Sequence, residues 1–444
     1  MYDKEYSTSM DLQELIKQAE QGDSKAQYEL GCASYKESRQ KAFEWWMKAA
    51  LQGEAKAQER IGIAYNFGLG TDINIEEAFK WYRLAAEQGN LGAQKWLAHC
   101  YRTGEYLDVN QDEAFKWYCL AANQGDPVAQ NNLAVCYDAG RGTEVDVEKA
   151  IEWYEKAAEQ SFDVALNNLG VCYQEGRGKK VNFEEAIKLY KEAAEKGYDC
   201  AQYNLALCYE YGYGTKVNFK DAIKWYIKAA EQGNTDAQFN LALCYEEGKG
   251  TEIDLKEAIK WYEKAAEQGD TEAQFYLCSL YFNKDDMESI LKGLDWLVKA
   301  AKQGMEEAEN LLRDFMAEII KLAELGDAEA QFLLGRSFQN GDGVIMNQGE
   351  AFKWYKLSAE QDYDKALNNL GCIYLESENY KKAKECFERA AKQNCALAQF
   401  NLGTMYNNGN TIERDITKAI YWLEKAVEQG LEEAKEVLDK INEE

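Results

Sequence analysis

Residues 237–272, with the sequence AQFNLALCYEEGKGTEIDLKEAIKWYEKAAEQGDTE, form the unit from which most of this chain is built. The alanine that opens the unit recurs every 36 residues, and most of the intervening sequence recurs with it. These alanines are Ala93, Ala129, Ala165, Ala201, Ala237 and Ala273. A fixed period of this length is typical of repeat proteins, whose small units bury their apolar faces by stacking on their neighbours.

Each unit is predicted to form two helices, because its apolar residues recur at helical spacing in both halves. The stripe of the first helix consists of Ala237, Leu241, Cys244 and Tyr245. The stripe of the second consists of Ala258, Trp261, Tyr262 and Ala265. Adjacent Trp and Tyr residues, such as Trp225/Tyr226, recur in most second helices, and we expect both members of each pair to be core residues.

The turn between the two helices carries a repeated pair of glycines, Gly248 and Gly250 in this unit. Glycine adopts the left-handed conformation that ends a helix, so we interpret the pair as a helix terminator. Asp254 is predicted to cap the second helix, with Glu257 completing a capping box. The same signal recurs at Asn74/Glu77, Asn110/Glu113, Asn182/Glu185 and Asn347/Glu350.

These residues also carry a family resemblance. The pattern A-x-x-x-L-x-x-x-Y-x-x-G-x-G, followed by A-x-x-W-Y-x-x-A-A-x-x-G, resembles the Sel-1-like repeat and recurs about ten times over nearly the whole chain. The resemblance implies an all-α fold, a right-handed α/α superhelical solenoid of about ten to eleven 36-residue, tetratricopeptide-like helix–turn–helix repeats. It also implies a non-enzymatic scaffold or adaptor that binds other proteins.

The array is not uniform along the chain. The segment 308–329 has no loop to separate two helices, and Glu318-Ile319-Ile320-Lys321 echoes Glu14-Leu15-Ile16-Lys17 near the N-terminus. We therefore expect an N-terminal cap helix (1–25), a first array (26–307), an irregular cap-like hinge (308–329), a second array (330–433) and a C-terminal capping helix (434–444). The alternative is one degenerate repeat within a continuous superhelix. Either arrangement predicts a change of direction near residues 284–330.

The twelve cysteines are distributed by the repeat. Five of them occupy one position of successive first helices, where cysteine acts as a small buried hydrophobe. They are Cys100, Cys136, Cys172, Cys208 and Cys244. The sequence contains no C-x-x-C motif, no apolar signal core in its first residues and no stretch of membrane-spanning length. We expect a reduced, cytoplasmic protein without disulfides or membrane insertion.

Residues for catalysis are scarce. His99 is the single histidine, and neither an H-E-x-x-H motif nor a Walker A motif is present. We therefore assign no catalytic residue, metal site or cofactor.

The net charge of −27 disfavours direct binding of nucleic acid or anionic lipid and favours basic partners. Two functions fit this charge: a scaffold, or an acidic inhibitor or immunity protein that masks a basic effector or a nucleic-acid-binding enzyme. The oligomeric state stays open.

A candidate binding face lies beside the buried stripe of the first helix. The fourth residue of the unit is asparagine at Asn132, Asn168, Asn204 and Asn240. In tetratricopeptide adaptors, which this repeat resembles, the matching position faces the concave groove and holds a ligand backbone. Asparagine offers both a donor and an acceptor for that purpose. The alternative is that these amides join adjacent repeats.

Aromatic and acidic residues accompany the asparagines on this face. Tyr203, Phe239 and Phe275 occupy the third position of successive units, and Glu210 and Glu246 occupy the tenth. An aromatic floor with acidic walls predicts a protein or peptide ligand that carries both basic and apolar residues.

Overall fold

Helices account for all regular secondary structure in the part of the chain that the computed structural model describes, residues 12–284, 286–409 and 413–443. The helices are α1 (Leu12–Glu20), α2 (Ser24–Ser34), α3 (Arg39–Leu51), α4 (Ala55–Phe67), α5 (Ile75–Glu87), α6 (Leu91–Thr103), α7 (Gln111–Asn123), α8 (Pro127–Ala139), α9 (Val147–Glu159), α10 (Asp163–Glu175), α11 (Phe183–Glu195), α12 (Asp199–Tyr211), α13 (Phe219–Glu231), α14 (Thr235–Glu247), α15 (Leu255–Glu267), α16 (Thr271–Phe282), α17 (Met287–Lys302), α18 (Glu306–Glu324), α19 (Ala328–Asn340), α20 (Gln348–Glu360), α21 (Asp364–Glu376), α22 (Tyr380–Lys392), α23 (Ala396–Asn408), α24 (Ile416–Glu428) and α25 (Glu432–Glu443).

Most of the helices form eleven pairs, eight from α2/α3 to α16/α17 and three from α19/α20 to α23/α24. Helices α1, α18 and α25 stand outside the pairs. The predicted all-α solenoid of helix–turn–helix repeats is confirmed. Residues 1–11 of the predicted N-terminal cap and residue 444 of the C-terminal cap lie outside the described residues.

Two compact units divide the chain, the first ending at Ala258 and the second beginning at Ile259. The segment expected to be a hinge lies inside the second unit, where α18 runs as one continuous helix of 19 residues. Near its end, the carbonyl of Ala323 accepts a hydrogen bond from Gln331 Nε2 at 3.1 Å. The carbonyl of Ala19 in α1 accepts the same bond from Gln27 at 3.0 Å. Helix α18 therefore precedes α19 as α1 precedes α2, and its role as a hinge stays a prediction.

The glycine pair ends the first helix as predicted, and its second member has a further role in the turn. Gly248 adopts the left-handed conformation (φ 72°) at the C-cap of α14, and its N–H donates to the carbonyl of Cys244. Gly250 also has a positive φ of 74°, and a Cβ atom there would overlap the backbone carbonyl of Phe219 in α13. The second glycine is therefore required by the close approach of two repeats, in addition to its backbone conformation.

The N-caps of the second helices are confirmed, but the full capping box is wrong. Asn74 Oδ1 accepts the backbone N–H of Glu77 at 3.1 Å, as predicted. The backbone N–H of Asn74 bonds to the carbonyl of Tyr65 at 2.9 Å, and the Glu77 carboxylate binds Lys80 at 2.6 Å. The turn thus supplies the acceptor that the glutamate was expected to provide. The same pattern holds at Asn110, Asn182 and Asn347.

Tyrosine and cysteine, more than tryptophan, fill the core. Tyr190, Tyr226, Tyr262 and Tyr355 are among the largest fully buried side chains. The five cysteines of successive first helices are buried as predicted, and all twelve thiols are free. The prediction for tryptophan is only partly right. Trp117 and Trp261 are buried, but Trp225 is half-buried with Lys228 Nζ 4.0 Å from its ring centroid.

A ladder of buried glutamines also joins the helices, and it was not predicted from the sequence. Nine repeats place glutamine directly after the opening alanine, and each side chain donates to the backbone carbonyl eight residues earlier. Gln202, for example, donates to Ala194 at 3.2 Å and accepts from Gln232 Nε2 at 2.8 Å. A glutamine with both bonds therefore connects the helix that precedes its repeat with the end of the second helix of its own repeat. The recurrent A-Q and Q-G dipeptides were the available signal.

Candidate functional site

The candidate site lies on four successive first helices of the first unit, α8, α10, α12 and α14. We call the surface formed by the third, fourth, seventh, tenth and eleventh residues of these repeats the first-helix face. Eight of the predicted binding residues lie on it, and all eight are half-buried: Asn132, Asn168, Asn204, Asn240, Tyr203, Phe239, Glu210 and Glu246. Phe275 lies on α16 in the second unit, where it packs against the core of that unit.

The asparagine side chains connect adjacent repeats through their nitrogen atoms. Asn168 Nδ2 donates to Asn131 Oδ1 at 3.1 Å, and Asn204 Nδ2 donates to Asn167 Oδ1 at 2.9 Å. Asn240 continues the series, with its Nδ2 lying 3.3 Å from the hydroxyl of Tyr203. In these three repeats the fourth residue therefore bonds to the third residue of the repeat before it. The amide nitrogens do what the alternative interpretation expected.

The amide oxygens of the same side chains form no hydrogen bond to the neighbouring repeat in the described part of the chain. Within the described part of the chain, Oδ1 of Asn168, Asn204 and Asn240 accepts no hydrogen bond. Asn132 stands at the start of the ladder, and its side chain bonds to none of the described residues. Because Nδ2 of Asn168, Asn204 and Asn240 is fixed by its bond to the neighbouring repeat, each of these three amides is held in one orientation with an acceptor remaining.

Aromatic residues line the face beside the asparagines. The ring of Tyr203 packs against that of Tyr226 with 6.0 Å between centroids. Burial, the largest cause, raises the pKa of Tyr203 to about 12, so the hydroxyl remains protonated at neutral pH. Phe239 occupies the equivalent position of the next repeat and is half-buried. These rings keep part of their surface available for an apolar contact.

The acidic residues of the face are partly engaged in the fold. The hydroxyl of Tyr226 donates to Glu210 Oε2 at 2.5 Å, and burial followed by this bond raises the pKa of Tyr226. Asp138 forms an ion pair with Arg177 at 2.7 Å. Glu210 was predicted as a rim carboxylate, but one of its oxygens also accepts the hydrogen bond of the buried Tyr226 hydroxyl. It contributes charge to the face while fixed to the scaffold.

The structure adds an exposed aromatic cluster that was not predicted from the sequence. Tyr211 is 58% exposed and stacks on Tyr213, with 5.7 Å between centroids. Tyr213 stacks in turn on Phe183 at 5.1 Å. Tyr211 occupies the eleventh position of its repeat, where the two neighbouring repeats carry Glu175 and Glu247. This departure from the repeat was the available signal.

A metal site, a histidine-based site or a membrane-spanning helix would each require a specific arrangement of the described residues. No three His, Cys, Asp or Glu side chains there come together in a way that could hold a metal ion. His99 is half exposed, and its Nε2 lies 3.3 Å from a carboxylate oxygen of Glu105. No helix in the described ranges is both long and apolar enough to cross a membrane.

Stacked helix pairs with glycine turns and bridging amides define an α/α repeat protein. The model of the Sel1 repeat matches ten segments, and that of the tetratricopeptide repeat matches residues 364–395. The Sel1 segments are 24–54, 55–90, 92–126, 127–162, 163–198, 201–234, 235–270, 271–305, 328–363 and 396–431. The chain belongs to the Sel1 repeat family.

Comparison with solved structures and curated proteins agrees with this assignment. A protective antigen of uropathogenic Escherichia coli, c5321, is 34% identical with a TM-score of 0.54, and the match covers 90% of this chain and 82% of that one. Chitin synthase regulatory factor 3 of Schizosaccharomyces pombe is 31% identical over 125 residues, which are 27% of this chain and 13% of the relative. The HRD3B component of an Arabidopsis thaliana ERAD-associated E3 ubiquitin-protein ligase is 29% identical over 130 residues, 26% of this chain and 20% of the relative. The chain thus spans a fifth or less of these two curated relatives.

Proposed function

We propose that this protein is a non-enzymatic scaffold that binds an extended segment of a partner protein along the first-helix face of α8–α14. The segment carries basic residues and apolar anchors. The observation that carries the proposal is the row of amide oxygens on Asn168, Asn204 and Asn240, which recur in register without a partner in the described structure. Backbone N–H groups of an extended chain are the natural donors to such a row.

Each class of residue on the face has its own part in the proposed binding. The asparagines accept backbone hydrogen bonds and so tolerate many ligand sequences. Tyr203, Phe239 and the exposed Tyr211 provide apolar contact area. Glu210 and Glu246 attract basic side chains, which sets association rate and salt dependence more than affinity. Exposed ion pairs contribute only about 0–1 kcal/mol each, so the amides and rings must supply most of the binding free energy.

The named relatives are consistent with a scaffold role. One is a chitin synthase regulatory factor, and the other is a component of a ubiquitin ligase. The first name describes a regulator of an enzyme, and the second describes one component of a multi-protein enzyme. We propose that role for this chain, in the cytoplasm, without proposing either relative's partner.

Peptide selection followed by binding measurements tests the proposal. Displayed random peptides would be selected on the purified protein, and the enriched sequences would be titrated as fluorescein-labelled peptides by anisotropy. The proposal predicts peptides with Lys or Arg and apolar residues, whose binding weakens when Tyr203 and Phe239 are replaced by alanine. Loss of binding must occur without a change in circular dichroism.

Two outcomes would contradict the groove proposal. Enriched peptides that bind the Tyr203→Ala/Phe239→Ala variant normally would place the site elsewhere. Binding only to intact basic proteins, abolished by salt and unaffected by this variant, would support the acidic inhibitor instead.

A further inference from the structure

One position of the second helix is occupied by tryptophan in nine of the eleven repeats. It lies four residues before the first residue of the pair near the end of the helix that is A-A in most repeats, as Trp225 lies before Ala229; the pair is Ser358-Ala359 in α20 and Ala426-Val427 in α24. The nine residues are Trp45, Trp81, Trp117, Trp153, Trp225, Trp261, Trp296, Trp354 and Trp422. The two exceptions are Leu189 in α11 and Cys386 in α22. Cysteine is the smallest residue found at this position, so α22 lacks the bulk that the other helices place there.

A surface cleft of about 430 Å³ lies at Cys386, between α20, α21 and α22. In the first unit, Trp225 packs against the core cluster that contains Ala194 and Leu205, alongside Tyr209. The residues at the equivalent positions line the cleft: Ala359, Leu370 and Tyr374. The cleft is therefore lined by residues at the repeat positions that, in the first unit, belong to or pack against the same cluster as the tryptophan.

The cation that accompanies the tryptophan is retained at the cleft. At five of the nine tryptophans a lysine three residues later lies over the indole ring, for example Lys228 at 4.0 Å from Trp225 and Lys299 at 3.7 Å from Trp296. Three residues after Cys386 stands Arg389, which lines the cleft. Its guanidinium is fixed by a bond from Nη2 to the carbonyl of Ala359 at 2.9 Å. A second bond runs from its Nε to Asp362 at 2.9 Å.

We propose that this cleft is a binding site for an aromatic side chain, best an indole, presented by a partner protein. The incoming ring would occupy the place that tryptophan fills in nine other repeats, against Leu370 and Tyr374 and beside the Arg389 guanidinium. Contact between a cation and an aromatic face favours such a ring over an aliphatic group of similar size. The site lies on second helices of the second unit and does not depend on the first-helix face.

The charges around the cleft favour a neutral ring over an anion. Lys356, Lys382 and Lys392 line it, but Glu360, Glu385 and Glu388 line it as well. Lys356 pairs with Glu360 at 3.7 Å, and Arg389 is held by Asp362. The basic side chains are therefore largely matched by carboxylates, which oppose the binding of phosphate or a carboxylate ligand.

The test uses 5-fluoroindole as the probe and the whole protein as the receptor, with fluorine NMR to measure binding. The wild-type chain should bind the probe, and Cys386→Ala, which keeps the cleft open, should bind it at least as well. Cys386→Trp fills the cleft with the chain's own repeat residue and should weaken binding at least about tenfold. Cyclohexanol should compete more weakly than indole, because it lacks a π face.

Arg389→Gln provides a second variant that leaves the floor of the cleft unchanged. It should weaken 5-fluoroindole about 2- to 30-fold, the range expected for losing a cation over an aromatic ring, with little effect on cyclohexanol. Circular dichroism and melting temperature establish that each variant is folded. The proposal is overturned if wild-type protein does not bind the probe at its solubility limit, or if Cys386→Trp binds it normally. Equal weakening of indole and cyclohexanol by Arg389→Gln would also overturn the aromatic assignment.

Discussion

Trp225 and Tyr226 are neighbours in sequence but differ in depth. Tyr226 is fully buried and its hydroxyl donates a hydrogen bond to Glu210, whereas Trp225 is half-buried beneath Lys228. The sequence predicts that this part of the second helix faces inward, because both residues fall on its apolar stripe. The sequence could not predict which of the two side chains is more deeply buried. Adjacent helical positions differ by about 100°, so either ring could point more directly at the core.

The depth of the two rings gives a prediction for their truncation. Tyr226→Ala should lower the free energy of unfolding by about 3–5 kcal/mol, the usual cost of removing a buried large aromatic. Trp225→Ala should cost less, because part of its ring already contacts solvent. Urea unfolding followed by circular dichroism measures both. A larger loss for Trp225→Ala would reverse the assignment of depth.

Glu210 allows its charge to be separated from its structural hydrogen bond. The equivalent acceptors of Tyr190 and Tyr355 are glutamines, Gln174 and Gln339. Glu210→Gln should therefore leave the melting temperature nearly unchanged while lowering the association rate of a basic peptide and its dependence on salt.

The matched control for this change is Glu231→Gln, the same loss of charge at an exposed site on the second helix α13. Stopped-flow association at two salt concentrations measures the difference. Equal effects of the two substitutions would mean that the whole charge of the protein, rather than the first-helix face, attracts the peptide.

At the scale of elements, the sequence predicts helices and turns well but not every contact between them. Gly248 and the N-cap Asn74 were predicted from residue type and spacing alone, because their bonds are local. The bond from the Asn74 N–H to Tyr65 was not, since it depends on how the turn folds back. The sequence could not decide whether the asparagines bind a ligand or join adjacent repeats, for a related reason. The repeat register places residues on one face of a helix, but it does not determine how a side-chain amide is oriented.

Gly250 tests the close approach of neighbouring repeats. Gly250 and Gly233 both have positive φ angles, 74° and 95°, but only at Gly250 would a Cβ meet another element. Both changes to alanine incur the left-handed backbone cost of about 1–2 kcal/mol. Gly250→Ala should destabilise the protein further, because it also separates the turn from α13. Equal losses in urea unfolding would show that backbone conformation alone selects this glycine.

For the whole molecule, the buried thiols predict a loss of stability at alkaline pH. Burial raises the pKa of Cys208 and of Cys244 to about 12 and that of Cys172 to about 11. An unfolded thiol ionises near pH 8.5, so the unfolded chain releases protons first and the free energy of unfolding falls as pH rises above that value.

Urea unfolding at pH 7.5 and pH 9.5 measures this fall. Cys208→Ala/Cys244→Ala should show a smaller difference between the two pH values than the parent chain, because two of the titrating groups are gone. An identical difference would assign the alkaline loss to other groups.

The family and the solenoid followed from the sequence because they repeat, whereas the ligand did not, because a repeat pattern records the scaffold many times and the partner not at all. The remaining question for the whole molecule is whether the asparagine row binds a ligand as well as joining repeats. Both Asn204→Ala and Asn204→Asp remove the Nδ2 donor, but only aspartate keeps an acceptor oxygen. Asn167→Ala removes the partner of that donor and leaves Asn204 intact.

The decisive measurement is the dissociation rate of a selected basic peptide from three folded variants. Asn204→Ala/Asn240→Ala should release the peptide faster, by about 5- to 30-fold for hydrogen bonds worth 1–2 kcal/mol in total. Asn204→Asp/Asn240→Asp should retain slow release, and Asn167→Ala should release at the wild-type rate with a lower melting temperature. Wild-type release from the double alanine variant, with only its melting temperature lowered, would show that the asparagines join repeats and bind no ligand.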